Sequence, residues 1–247
     1  MNKYWLLGLV LITSIPVSAQ IASTPRFISD SLNACIEQGM KDWNIPGLSI
    51  AIVKDGKVVM MKGFGVRDLE TKAPVDENTL FMIASNSKLF TGTALSQLEY
   101  NRKINLDDKV SKYISGYSLY DKNTTDLVTI RDLLSHRIGT KTFQGDFIFW
   151  NGNLGRSAII NKMKLLKPGG VFRQSFGYCN SCFLTAGEII PVVTGKPWEV
   201  YVYDSIVVPL GLSNTHMLTQ GITQRNNVSK PYTTLYTGKL TELPTTR

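Results

Sequence analysis

Histidine is scarce in this 247-residue chain: only His136 and His216 are present. Two histidines do not make a metal site of the usual histidine-rich kind. Neither lies in a nucleophile context, which argues against a histidine-based catalytic triad. Cysteine is nearly as rare, at Cys35, Cys179 and Cys182, an odd number that leaves one thiol unpaired in an oxidising compartment. Long apolar runs are also missing. The longest, Trp5 to Ile15, is too short to span a bilayer as a stable helix. The formal net charge is +8, yet the lysines are scattered rather than clustered. That describes a basic surface, loosely drawn to anionic envelope polymers, and not a nucleic-acid site. No internal repeat or low-complexity tract occurs.

What is present begins with a secretory signal peptide over residues 1–19. Lys3 supplies a small basic region, the apolar run follows, and Val17-Ser18-Ala19 is a small-residue cleavage site. The mature chain, 20–247, is therefore expected to be periplasmic or secreted, with no membrane anchor after cleavage. Its composition, 43% hydrophobic and 10% aromatic, suits a globular protein with a proper core.

The periodicity predicts an amphipathic helix over Phe27 to Met40, burying Ile28, Leu32, Ile36 and Met40. Cys35 on that stretch reads as a small hydrophobe. Leu48 to Val53 and Lys57 to Gly63 are rich in β-formers and flank Lys54-Asp55-Gly56, a strong hairpin signal. Thr129 opens a helix through a Thr-x-x-Asp capping pattern ending at Asp132. Lys167-Pro168-Gly169-Gly170 breaks the chain. Phe183 to Val193 and Pro197 to Val208 read as helices, the second with Trp198, Val202 and Ile206 on one face.

The chain is organised around Ser85-Asn86-Ser87-Lys88, followed by an apolar stripe of Leu89, Phe90, Ala94, Leu95 and Leu98 at helical spacing. With Ser85 at the helix start, Lys88 lies one turn on and the two side chains can meet. A serine hydroxyl needs a group that takes its proton, and a neutral lysine can do so. The helix N-terminus disfavours an ammonium and offers N–H groups to a developing oxyanion. Phe176-Gly177-Tyr178-Cys179-Asn180 is the second informative stretch. A phenol near a lysine can share its proton, and an Asn carboxamide can hold a substrate amide or support the lysine.

With both motifs in place, the sequence resembles the serine β-lactamase and penicillin-binding protein family, on its class C-like and esterase-like side. Ile45-Pro46-Gly47-Leu48, Asp55-Gly56-Lys57 and Gly63-Phe64-Gly65 look like that family's opening hairpin. Thr79 to Lys88 looks like its nucleophile segment. Leu106 to Val110, Arg131 to His136 and Pro209 to Leu212 match its secondary landmarks. The resemblance implies Ser85 as the acylated nucleophile, Lys88 as its proton partner, and Tyr178 as general base or relay. Asn180 would bind substrate or orient Lys88, and Gln144 would line the cleft or else lie in an ordinary surface loop. No cofactor and no metal is implied. The implied fold is α/β of the α+β type, β-lactamase/transpeptidase-like: a mainly antiparallel sheet flanked by helices, with an inserted helical subdomain.

Two features depart from the family. Its third motif, Lys-Thr-Gly or His-x-Gly on a late strand, does not follow Asn180. Thr194-Gly195-Lys196 and Thr237-Gly238-Lys239 hold similar residues in the wrong order and read as turns. The sheet is therefore expected to be incomplete, its C-terminal strands lying beyond Arg247. The other departure is Cys182, where relatives carry a small glycine. Cys179 and Cys182 are expected to form a local disulfide in the oxidising envelope. The expected function is acyl-enzyme hydrolysis of a β-lactam, a small ester or a peptidoglycan-like D-amino-acid peptide. The alternative is a penicillin-binding sensor or trap, or a degenerate peptide-binding module.

Overall fold

The computed structural model describes residues 25–146 and 152–244. The signal sequence read over residues 1–19 lies outside the described residues. The amphipathic stretch forms two helices, α1 (Arg26–Asp30) and α2 (Leu32–Asp42), broken at Ser31. Leu32 is buried and Ile28, Ile36 and Met40 are half-buried. Cys35, on the same stretch, is exposed. The stripe advances four residues at a time and is narrow, so its neighbour at the margin is left outside.

Strands β1 (Gly47–Lys54) and β2 (Lys57–Gly65) pair antiparallel, from Gly47 opposite Gly65 to Lys54 opposite Lys57. The turn places Asp55 at φ +51° and Gly56 at φ +72°, the left-handed pair that a tight hairpin needs. Among the described residues β1 pairs only with β2. Phe64 is buried against the body, whereas Val53, Val58 and Met61 are exposed.

A 3₁₀ turn, Ala84–Asn86, opens into α3 (Ser87–Tyr100). Thr91, Ala94, Leu95 and Leu98 are buried along it. Leu89, expected on that stripe, is 72% exposed. It lies nine residues before Leu98, and at about 100° per residue that places it across the helix axis. Helices α4 (Lys122–Leu127) and α5 (Ile130–Leu134) follow. The predicted capping pattern closes as a full box: Asp132 accepts from the Thr129 N–H at 3.0 Å, and Thr129 Oγ1 accepts from the Asp132 N–H at 3.3 Å.

Next come α6 (Arg156–Lys162), α7 (Asn180–Thr194) and α8 (Trp198–Val202), the last widening into a π-type turn over Tyr203–Val207. Helix α7 starts three residues before the expected Phe183. Cys179 caps it, its sulfur accepting the Cys182 N–H at 3.2 Å. Gly195 ends it at φ +71°. Thr194-Gly195-Lys196 is thus a helix terminus. Thr237-Gly238-Lys239 lies in the turn between β3 (Tyr232–Thr233) and β4 (Thr241–Glu242), which pair antiparallel.

The core centres on α7, against which α3, α5, α6 and α8 pack. Leu95, Ile130, Leu133, Met163, Ile189, Ile190 and Val202 are fully buried there. Each such side chain contributes about 1.5–3 kcal/mol by leaving water. A helical body with small antiparallel sheets is α/β of the α+β type. Among the described residues, no helix is long and apolar enough to cross a membrane. Cys179 and Cys182 are both buried, and their sulfurs lie 2.6 Å apart, nearer than two unbonded sulfurs rest and close enough for the expected disulfide to form on oxidation.

Candidate active site

The packing of α3 on α7 brings the two informative sequence stretches together. Ser85 sits in the 3₁₀ turn ahead of α3, directly after Ala84, whose backbone is left-handed at φ +45°. Lys88 occupies the first turn of α3. Its Nζ donates to Ser85 Oγ at 3.2 Å and to Asn180 Oδ1 at 2.6 Å. The Tyr178 hydroxyl reaches Ser85 Oγ at 2.6 Å. Tyr178 immediately precedes the residue that caps α7, and Asn180 is the first residue of that helix. The four residues singled out in the sequence therefore form one connected cluster, open to solvent at Ser85.

The electrostatics of the cluster follow from this geometry. Burial pushes the Tyr178 phenol up, but the Lys88 and Ser85 side chains and the lysine charge outweigh it, leaving the phenol below its ordinary value. Lys88 Nζ also lies 4.7 Å from the centre of the Tyr178 ring and 5.6 Å from that of Phe183. The Ser85 hydroxyl thus has the Tyr178 oxygen and the Lys88 nitrogen within hydrogen-bond reach.

Sequence reasoning passed over two supports of Tyr178. His136 stacks on the ring, with centroids 4.6 Å apart and planes at 28°. Its Nδ1 accepts the Cys179 N–H at 3.0 Å, and burial together with the Lys88 charge holds its pKa below the ordinary value. Gly177 lies so close to the Thr140 carbonyl that a Cβ there would stand 1.7 Å from the oxygen. Both are tertiary contacts between segments some forty residues apart, without a local sequence signal.

Of the two places open to Gln144, it takes the loop. Its Oε1 accepts from the Lys141 N–H at 2.8 Å and its Nε2 donates to the Lys167 carbonyl at 2.6 Å. Both ends of the amide are engaged in holding the loop. The residue the sequence did not mark is Asp146, two positions on. It is 1% exposed, and its Oδ2 accepts from Asn180 Nδ2 at 2.7 Å. A cavity of about 280 Å³ opens beside Lys88 and Asn180, lined by Ile159, Phe183, Leu184 and Trp198. Arg156 in its wall pairs with Glu188 at 3.0 Å and with Glu199 at 3.1 Å.

The helical body and small sheets have the β-lactamase/transpeptidase-like fold. The chain belongs to the beta-lactamase family, whose model matches residues 32–243. It is 33% identical over 213 residues to protein flp of Staphylococcus aureus (strain MRSA252), covering 83% of this chain and 41% of that protein. It is 31% identical over 170 residues to a teichoic acid D-alanine hydrolase of Staphylococcus aureus, covering 68% of this chain and 40% of that one. Among solved structures it is similar to the octameric penicillin-binding protein homologue from Pyrococcus abyssi. That match has a TM-score of 0.72 and 28% identity, over 86% of this chain and 50% of the other. FmtA from Staphylococcus aureus matches with a TM-score of 0.72 and 25% identity, over 88% and 59%. The chain spans about two fifths of the length of these curated relatives.

Proposed function

We propose that this chain carries the nucleophile-bearing part of an exported serine hydrolase that works through an acyl-enzyme on Ser85. The observation that carries the reading is the convergence of Lys88 Nζ and the Tyr178 hydroxyl on Ser85 Oγ, at 3.2 and 2.6 Å. In acylation the Ser85 oxygen attacks the substrate carbonyl while its proton passes to the Tyr178 oxygen. The Lys88 ammonium stabilises the phenolate in that role. As the tetrahedral intermediate collapses, the proton goes to the leaving group and the Ser85 ester remains. Water then releases the acid by the same proton path in reverse. The Ser85 N–H, at the head of α3, is one donor to the oxyanion. Asn180 braces Lys88 through its Oδ1.

The substrate class is an acyl ester or amide of the cell envelope. The relative named as a teichoic acid D-alanine hydrolase supports a D-alanyl ester. The family's name keeps β-lactams among the acyl donors.

The test is covalent labelling of purified protein with a fluorophosphonate and a fluorescent penicillin, mapped by peptide mass spectrometry. A nitrophenyl butyrate, nitrocefin and a D-alanyl ester are assayed for turnover. Labelling at Ser85, lost in Ser85→Ala and accompanied by turnover, is the expected result. Labelling without turnover identifies an acylation trap. An adduct elsewhere, or one undiminished in Ser85→Ala, overturns the assignment.

A further inference from the structure

The Asn180 carboxamide has two ends of nearly equal size, and Lys88 accepts only one of them. An ammonium facing the amide oxygen is satisfied, whereas one facing the NH₂ group meets another donor. Nothing in Asn180 itself selects the orientation. A buried neighbour does. An ionised carboxylate is acceptor-only, so it binds the Nδ2 end and turns Oδ1 the other way. Asp146 stands in that place, 1% exposed, its Oδ2 accepting from Asn180 Nδ2 at 2.7 Å, while the Asn180 Oδ1 accepts from Lys88 Nζ at 2.6 Å.

The loop that carries Asp146 is tied to the Tyr178 segment from both sides. The Phe143 N–H donates to the Tyr178 carbonyl at 2.8 Å, and the Tyr178 N–H donates to Thr142 Oγ1 at 3.2 Å. The Asp146 N–H closes onto the Phe143 carbonyl at 3.2 Å. Gln144 clamps the same loop to Lys141 and Lys167. The carboxylate is therefore held in register with Asn180.

We propose that Asp146 is a positioning residue of this site: through Asn180 it holds Lys88 against Ser85, in a relay Asp146–Asn180–Lys88–Ser85. The inference rests on the Ser85 reading for its catalytic consequence, but not for the orientation of the amide. Asp146 touches no reacting atom. It acts by fixing which end of the amide the lysine meets.

The test exchanges the two side chains. Asn180→Asp alone sets two carboxylates face to face and is expected to slow fluorophosphonate labelling of Ser85 more than tenfold. Asp146→Asn leaves two amides that can pair in either sense, and is expected to slow labelling about three- to tenfold. In the double variant the new amide donates to the new carboxylate, which accepts from Lys88. Its labelling at its own optimum is expected to exceed that of Asn180→Asp alone by at least threefold. Its rising pH limb should be displaced upward, because a carboxylate now faces the ammonium directly.

Losses that multiply in the double variant, or an Asp146→Asn protein with unchanged rate and pH limb, overturn the proposal. The orientation is read independently by NMR. The Asn180 side-chain amide protons should exchange slowly with water in the wild type and at least tenfold faster in Asp146→Leu. Asp146→Asn, in which the NH₂ resonances should split or broaden, serves if the leucine variant does not fold. Unchanged exchange and unchanged resonances overturn the role of Asp146 even where Ser85 labels normally. Failure of the wild type to label removes the Ser85 reading and leaves the amide measurement to decide Asp146.

Discussion

His136 and Tyr178 lie ring on ring, 4.6 Å between centroids, and the histidine Nδ1 simultaneously accepts the N–H of Cys179. One side chain thus supports the phenol from its face and satisfies the buried amide next to it. His136 itself has left-handed backbone, φ +58°, directly after α5.

The stability of the protein should fall as pH drops below about 6.5, the ordinary histidine value. Burial and the Lys88 charge lower the pKa of His136, and slight desolvation with Arg225 lowers that of the exposed His216, so both folded values are depressed, with the larger stability effect expected from His136. Below the unfolded pKa the unfolded chain takes protons that the folded chain refuses, and stability declines until the folded values are passed. Thermal melts across about pH 5 to 7, the span in which histidine titrates, should show this slope. His136→Phe should reduce it, leaving the share that belongs to His216. An identical slope in the variant would count against the buried-neutral assignment.

Lys88→Met and Tyr178→Phe should each lower the rate of Ser85 labelling by about two orders of magnitude. The double variant should lose much less than the product, because groups that act as one unit are non-additive. Lys88→Met should also move the rising pH limb upward, since the lysine is what draws the Tyr178 phenol below its ordinary value. Simple multiplication of the two losses would contradict a shared proton path.

Gly177→Ala should abolish labelling without touching any reacting group. Its Cβ would stand 1.7 Å from the Thr140 carbonyl oxygen, which is main chain and cannot swing aside. The Gly177 N–H bond to the His136 carbonyl, 2.9 Å, would be displaced with it, and Tyr178 is the next residue. A well-folded alanine variant that labels at the wild-type rate would show that the close approach does not position Tyr178.

Asp132→Ala should destabilise the fold by about 1–3 kcal/mol, measured by denaturant unfolding. Asp132 closes the capping box of α5 and pairs with Arg173 at 2.8 Å. Burial pushes its carboxyl up, but the Arg173 guanidinium and the Thr129 N–H outweigh it and hold it low. Its contribution is present above the unfolded carboxylate pKa of about 3.9 and is lost as pH falls through the lower folded value. A loss within 0.5 kcal/mol, the usual range for an unremarkable surface site, would show that the pair is dispensable.

Several features were legible in the residues because their causes are local. Asp55-Gly56 marks its hairpin because two adjacent left-handed positions are what the turn requires. Thr129 and Asp132 announce their helix because both partners of the box lie within one turn. Ser85 and Lys88 meet for the same reason, three residues apart at the head of one helix.

The sequence alone therefore determined the family, the α+β class, the hairpin, the capped helices and the four residues of the candidate site. Each of these depends on spacing along the chain or on an ordered series of motifs. Only the tertiary structure decided what those residues touch. It placed Asp146 behind Asn180, set Gln144 to brace a loop, stacked His136 on Tyr178, and brought the Cys179 and Cys182 sulfurs together at a helix cap. Leu89 was misjudged because an apolar residue beside a helical stripe is buried only where another element covers it. Hydrogen-bond direction in an amide and cover over a helix face arise where distant segments meet, and no local pattern of residues encodes that meeting.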